Sequence, residues 1–408
     1  STPLYSSAAS DVYKRQLPVA AGTHPEGHAV KLAEALWELT ANARWFGGRG
    51  RNGKLARVRS LDPVGDVQSL LLEVAYPASE SETYHVPVLH SKLPGLAEAV
   101  DDGLNLWPPF EASDGGFVLI DDLPRPSAAR RFKGEQSNTN VFFDNATMLK
   151  VLRRVEPGGG IEAELLGALR GSGVAPELHG TWAHDDLALG VLVEALQDPE
   201  DAYDVACDAA RSARDFSSEA HSLGKDLATV HSLLRNHLAT GVADSAAKAD
   251  AFRERFDAAV RELPALEEFR DGVQRVYDRV GAARIGTQRV HGDCHLGQVL
   301  RSRGEWKYVD FEGEPMKSLE ERRELDTPLR DVAGMLRSFA YARAAGDASS
   351  RWLDACREAF LDGYGVGTDP VLDAYELDKA VYEALYEARF RPHLADVPIA
   401  AIRNLTSA

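Results

Sequence analysis

The chain has 408 residues, 44% hydrophobic and 27% charged, the composition of an ordinary globular protein with material for a large core. A formal charge of −17 argues against nucleic acid as a partner, and no run of about 18 uncharged apolar residues offers a membrane span. Three cysteines, an odd count without metal-ligand spacing, imply reduced thiols; residues 1–22 lack the apolar stretch of an export signal, so the expected location is the cytoplasm.

Residues 1–16 show little apolar periodicity and read as a non-native or disordered leader. From His28 to Phe46 the apolar positions Leu32, Leu36 and Leu39 recur at helical spacing, which predicts an amphipathic helix ended by Gly47-Gly48. The Arg-bearing glycine-rich loop from Gly47 to Gly53 has anion-binding chemistry. No strand immediately precedes it and no G-x-x-x-x-G-K-[ST] occurs in the chain, so a structural contact between cap and lobe is its expected role. Alternating β-branched segments over 55–90 read as a small sheet, Leu93 to Leu104 as a short helix, and Trp107-Pro108-Pro109 as a break near the end of a cap subdomain, 17–108.

A second unit is expected over 109–198. Phe117 to Ile120 reads as a strand, and 138–143 and 146–153 as a hairpin turning at Asp144-Asn145, with the polar turn Gln136-Ser137-Asn138-Thr139-Asn140 before it and Lys150 on its second strand. A helix follows at Ile161 with Glu162 and Glu164 in its first turn, and the apolar run from Leu187 to Leu196 suits a buried strand. From 199 to 408 the chain reads as mainly helical, with helices near 222–238, 247–262, 264–281 and 371–390.

Within that last region residues 288–314, QRVHGDCHLGQVLRSRGEWKYVDFEGE, hold two polar clusters around a short strand. Asp293 stands five residues before Gln298, the interval of the H-R-D-x-x-x-x-N loop of protein kinases, and Asp310-Phe311-Glu312 stands where those enzymes carry D-F-G. A transferred phosphoryl group needs its charge neutralised by Mg²⁺, which takes hard oxygen donors, while one carboxylate must stay off the metal to accept the proton of the attacking hydroxyl. Asp293 fits the second role; Gln298, Asp310 and Glu312 fit the first. His291 reads as a loop brace and His295 as either a core residue or a substrate contact.

HGDCHLGQVLR and VDFEGEP resemble the aminoglycoside-phosphotransferase-like kinases and, within them, the maltokinases and related actinobacterial sugar kinases. ARWFGGRGR from Ala43, LDTPLRDVAGMLRSFAYA from Leu325 and LDKAVYEALYEARFRP from Leu377 extend the likeness to both ends of the chain. The resemblance implies an α+β, bilobal, protein-kinase-like fold: N-terminal cap, small sheet-containing ATP lobe and helical C-terminal lobe. It further implies ATP as co-substrate, Lys150 holding phosphates and paired with Glu162, Ser137 in the phosphate-covering turn, and Glu194, Ala195 and Leu196 at the adenine edge. Glu383, Tyr386 and Glu387, with His295, become candidate sugar contacts. The expected reaction is Mg²⁺-dependent phosphorylation of a sugar hydroxyl, glucosamine to glucosamine 6-phosphate, because the acidic balance suits an ammonium-bearing acceptor. Maltose 1-phosphate formation, aminoglycoside phosphorylation and a non-catalytic nucleotide-binding module are the alternatives. The expected partners are a small sugar and ATP, with no membrane, and the chain is expected to be a monomer or homodimer.

Overall fold

The computed structural model describes residues 25–77, 79–134 and 137–407. The leader 1–16 and Gln136 lie outside the described residues. Two compact units emerge. One takes the chain through Ala163 together with Glu177–Leu196; the other takes Glu164–Pro176 and Gln197 onward. Among the described residues no helix is long and apolar enough to cross a membrane.

The first unit opens with helix α1 (Pro25–Asn42), then strands β1 (Lys54–Ser60), β2 (Val67–Tyr76) and β3 (Ser79–Leu89), an antiparallel meander. β2 is apolar on both faces for a physical reason: its alternate residues enter two different cores. Leu70, Leu72 and Val74 join Leu36, Trp45 and Phe46 on the helix side, whereas Val67 and Leu71 face a core that includes Phe110, Val141, Leu149 and Trp182. The arginines of the Gly47–Gly53 loop are committed within this unit. Arg49 donates to the Ala43 carbonyl at 2.7 Å, and Arg51 pairs with Glu82 at 2.8 Å while lying over the Tyr76 ring at 3.9 Å. These contacts are structural, but they stay within the cap strands and helix and do not show the expected contact between cap and lobe.

Leu93 to Leu104 does not form the expected helix. A 3-10 turn covers His90–Gly95, Leu96 turns left-handed at φ 49°, Glu98 bridges back to Val88, and a second 3-10 turn spans Gly103–Leu106. Pro94 and Gly95, unfavourable in a helix interior, account for the interruption. Conversely Trp107-Pro108-Pro109 is no break but the start of α2 (Trp107–Ala112), because proline in a first helical turn forgoes only an N–H that has no partner there.

Next come β4 (Phe117–Leu119), β5 (Ala129–Arg131), β6 (Thr139–Phe143), β7 (Thr147–Val151), β8 (Arg154–Val155), α3 (Ile161–Leu169), β9 (Leu178–His184) and β10 (Leu187–Glu194). Six of the strands form a sheet ordered β4-β9-β10-β7-β6-β5, and β8 adds to the cap sheet beside β3. The β6–β7 connection turns at Asp144 and Asn145, with φ 46° and 55°, the paired positive values of a tight two-residue hairpin turn.

In the second unit, β11 (Glu200–Asp201), α4 (Ala202–Arg211) and α5 (Ser217–His237) precede β12 (Thr240–Ala243), α6 (Ser245–Glu262), α7 (Arg270–Gly281) and β13 (Ile285–Gln288). The expected single helix over 264–281 is a 3-10 turn, Pro264–Phe269, leading into α7. β14 (Val299–Ser302) and β15 (Glu305–Tyr308) follow, then α8 (Leu319–Arg323), α9 (Leu329–Ala345), α10 (Ser350–Tyr364), α11 (Pro370–Phe390) and α12 (Asp396–Ser407). α9 lies at the centre, packed by α4, α10 and α11, and is buried along most of its length.

Candidate functional site

Lys150 occupies the middle of β7, opposite Asn140 on β6 and Val191 on β10, so its strand is held on both sides. Its ammonium pairs with Glu162 Oε2 at 3.0 Å, and only 14% and 11% of the two side chains are exposed. Partial burial of a lysine needs such a partner. Glu164, two residues on, is no free surface carboxylate. Within the second unit it pairs with Arg289 at 3.2 Å and Arg323 at 3.6 Å.

Ser137 is exposed just before β6. At the end of β10 the Glu194 amide donates to Glu177 O at 2.9 Å and the Ala195 amide to Ala146 O at 3.0 Å. Among the described residues the Leu196 amide has no such acceptor, which leaves it available to a ligand.

In the second unit, a loop from Arg289 to Gln298 carries the first polar cluster, and one face of α9 holds it. Asp331, 1% exposed, accepts the amide hydrogens of His291 at 2.8 Å and Gly292 at 3.0 Å. His231 from α5 adds Nε2 at 3.0 Å and fastens its own Nδ1 to the Tyr364 hydroxyl at 2.9 Å. Burial opposes ionisation of Asp331, but the His231 hydrogen bond, with His291 and Arg330 nearby, outweighs it and holds the carboxyl below its ordinary range. One turn along, Gly334 admits the Cys294 carbonyl: a Cβ there would sit 2.1 Å from that oxygen. Ser338 then accepts the Leu296 amide at 3.1 Å while donating to Met335 O at 2.9 Å. Positions 331, 334 and 338 share a helical face, so three contacts along one stripe fix the loop.

The two histidines have different partners. His291 Nε2 donates to the Val309 carbonyl at 2.8 Å, so Nδ1 is left to accept from the Asp293 amide at 3.4 Å, and the ring lies 4.7 Å from Phe311. This is a brace. His295 caps the short 3-10 turn Leu296–Gln298 by accepting the Gly297 amide at 3.1 Å, and burial, aided by Lys379 and His291, keeps its pKa below the usual value, against Asp293. Cys294 is buried and its thiol is pushed far up by desolvation, so it is a packing residue.

The β14–β15 hairpin explains how residues twelve apart in sequence meet. Val299 pairs with Tyr308, and Arg303 and Gly304 turn with φ 53° and 85°. Val309 then donates to the Gln298 carbonyl at 3.0 Å, and Gln298 Nε2 reaches Asp310 Oδ2 at 3.4 Å. Asp310 is itself left-handed, φ 61°. A carboxylate and an amide thus converge, and among the described residues no cluster of three carboxylate, histidine or thiol side chains suited to a metal forms. Two protein oxygens, completed by phosphates and water, are what Mg²⁺ takes in nucleotide sites, so the residues fit that ion. Glu312 lies in the turn beyond, its carbonyl accepting from Arg322 at 3.2 Å.

Asp293 stands apart. It is half-buried, and among the described residues its carboxylate accepts no hydrogen bond and makes no ion pair.

On α11 the three candidate sugar contacts differ. Glu383 is held by Arg337 at 2.7 Å. Glu387 is 1% exposed, not on an open helix face, with Oε1 shared by Tyr341 at 2.9 Å and Arg391 at 2.6 Å and Oε2 buried without a partner. Tyr386 is exposed beside Phe390, with Arg391 over its ring at 5.2 Å.

Sequence reading missed Asp331, Gly334 and Ser338. A carboxylate on the stripe that runs through the apolar stretch after Arg330 was the available signal: a charge at a core position needs fixed partners.

Residues 128–377 match the phosphotransferase enzyme family called APH. A glucosamine kinase of Streptacidiphilus jiangxiensis is 28% identical over 317 residues, 66% of this chain and 72% of that protein. A glucosamine kinase of Mycolicibacterium smegmatis is 28% identical over 352 residues, covering 76% and 88%. Among solved structures, a glucosamine kinase in complex with glucosamine, ADP and inorganic phosphate shares the fold, with a TM-score of 0.72 at 23% identity over 90% of this chain and 98% of that one.

Proposed function

Because the chain belongs to the phosphotransferase enzyme family, we propose that it transfers the γ-phosphate of ATP to a hydroxyl of glucosamine, giving glucosamine 6-phosphate and ADP. The observation that carries this reading is the Asp293 carboxylate, left unpaired in a loop that Asp331 and Ser338 hold through the His291, Gly292 and Leu296 amides. An acceptor-only group held in place and uncommitted is what a general base requires. It would take the proton of the attacking hydroxyl as the new oxygen–phosphorus bond forms and the bond to ADP breaks.

Lys150, positioned by Glu162, would hold phosphate oxygens as a point charge, and Leu196 would offer its amide to the adenine edge. A Mg²⁺ ion coordinated by Asp310 and Gln298, with Glu312 as a further donor, would neutralise phosphate charge. Glucosamine is favoured over maltose by the two glucosamine kinases that cover most of this chain.

The test measures ADP release with Mg²⁺-ATP against glucosamine, maltose, glucose, N-acetylglucosamine and kanamycin, with Asp293→Asn in parallel. Release that depends on glucosamine and falls by about 100-fold or more in the variant is expected. Release with another sugar alone would reassign the acceptor, and undiminished release in the variant would remove Asp293 from the chemistry.

A further inference from the structure

Arg330 and Asp331 are consecutive residues of opposite charge in the first turn of α9, and each reaches a different segment of the candidate site. Asp331 takes the amides of His291 and Gly292. Arg330 turns to the segment that follows Asp310: its Nη2 donates to Glu314 Oε1 at 2.8 Å, and its Nη1 lies 3.4 Å from Asp326 Oδ2. Asp326 is itself fixed, accepting from the Tyr375 hydroxyl, the Thr327 amide at 2.9 Å and Lys248 at 3.3 Å. The guanidinium thus spans from an anchored carboxylate to Glu314.

The segment so held has no helix or strand of its own: residues 309–318, between β15 and α8, form turns and bends, so side chains must set their course. At its start Asp310 is left-handed, φ 61°, a conformation that costs a residue other than glycine about 1 kcal/mol or more and persists only where the surroundings hold it. On the β15 side the Val309 amide is tied to the Gln298 carbonyl at 3.0 Å. On the other side Arg322 donates to the Glu312 carbonyl at 3.2 Å, and Arg330 takes the Glu314 carboxylate. Burial opposes ionisation of Glu314, but Arg330 and Lys317 outweigh it, so the pair stays charged. The segments held by Arg330 and Asp331 also run side by side, since a Cβ placed on Gly292 would lie 3.4 Å from Gly313 Cα. An ion pair with one partner a third exposed adds about 1 kcal/mol or less to stability, so what this one chiefly sets is position.

We propose that Arg330 is a positioning residue for the metal: through Glu314 it fixes the segment that begins at Asp310 and keeps the Asp310 carboxylate beside Gln298, the two groups that would hold Mg²⁺. This rests on the phosphotransferase reading. Adjacent residues of one helical turn then serve the two halves of the chemistry, Asp331 the loop carrying Asp293 and Arg330 the segment carrying the metal carboxylate.

The test adds Mg²⁺ in steps to ADP-saturated protein and follows the melting temperature, alongside the Mg²⁺ concentration for half-maximal ADP release from ATP. In Arg330→Met both midpoints should move to about ten-fold more Mg²⁺. Glu314→Gln should move them in the same direction, and the double variant should be no worse than the worse single one, as for two groups that act through one bond. Arg330→Lys should recover part of the loss, since an ammonium can meet Glu314 but cannot fork to Asp326 as well. Arg357→Met removes an arginine paired with Glu376 at 2.6 Å elsewhere in the unit, and should leave both midpoints in place whatever it does to stability. Unmoved midpoints in Arg330→Met and Glu314→Gln, or an equal shift in Arg357→Met, would overturn the proposal and leave Arg330 a structural residue. Should Arg330→Met fail to fold, Glu314→Gln decides by the same criterion. Wild-type protein whose melting temperature in ADP ignores Mg²⁺ would instead overturn the nucleotide and metal reading beneath the proposal.

Discussion

At the residue scale the candidate site depends on a carboxylate that holds the loop carrying Asp293 rather than a ligand. Asp331 answers two backbone amides and one imidazole from full burial, and removing its charge leaves those donors facing an amide that cannot satisfy them all. Asp331→Asn should therefore lower stability at neutral pH by about 3 kcal/mol, read by urea denaturation, and reduce turnover. The pH dependence has a definite sign. Folding lowers the Asp331 pKa, so the unfolded chain binds that proton more tightly. The contribution is complete above the unfolded carboxyl value of about 3.9 and is lost as pH falls through the folded value. The stability gap between wild type and Asp331→Asn should thus be full at neutral pH and close in acid below about pH 4. A gap that persists unchanged into strong acid would show that the carboxylate charge is not what matters.

At the element scale, α9 and the β14–β15 hairpin do different jobs, and glycine substitutions separate them. At Gly304, φ 85°, a Cβ meets nothing within 4 Å, so Gly304→Ala costs only backbone strain, about 1 kcal/mol. At Gly334 the added carbon would lie 2.1 Å from the Cys294 carbonyl, so the loop carrying Asp293 must move. Displacement of a reacting group by about 1 Å can cost on the order of 100-fold in rate. Gly334→Ala should lose turnover by that order while keeping its helical circular dichroism, and Gly304→Ala should keep turnover; comparable activity in the two would dissociate α9 packing from catalysis. Only the second strand of the hairpin was legible, as the short strand before Asp310; its pairing with β14, which brings Gln298 and Asp310 together, was not. The α9 stripe was not, since Asp331 sits in a run of alternating charges from Glu320 that reads as solvated until the helix is known to be buried on nearly all sides.

At the scale of the whole molecule, long-period patterns carried over well. The alternating cap strands, the Lys150 hairpin and the helical region after Ala202 appear where apolar periodicity put them. What failed were short irregular stretches, such as Leu93 to Leu104 and the Trp107 prolines, where local turn chemistry decides and periodicity is silent. The pairing of Glu383 and Glu387 with arginines was equally hidden, because their partners Arg337 and Arg391 are assigned by packing, not by proximity in a pattern. Lys150 and Glu162 belong to one unit and Asp293, Gln298 and Asp310 to the other, so separate substitutions can test the proposed binding and the proposed chemistry. A ligand that binds only the folded state raises stability by about 2.7 kcal/mol at a hundred times its Kd. Mg²⁺-ADP should therefore raise the melting temperature of the wild type and of Asp293→Asn alike, and should do so far less for Lys150→Met, which loses the phosphate-holding charge. Asp293→Asn that keeps the shift but releases no ADP from ATP would locate the defect in chemistry alone. A Lys150→Met protein with an undiminished shift would mean that the phosphates are held elsewhere, and the assignment of this lysine would have to be abandoned.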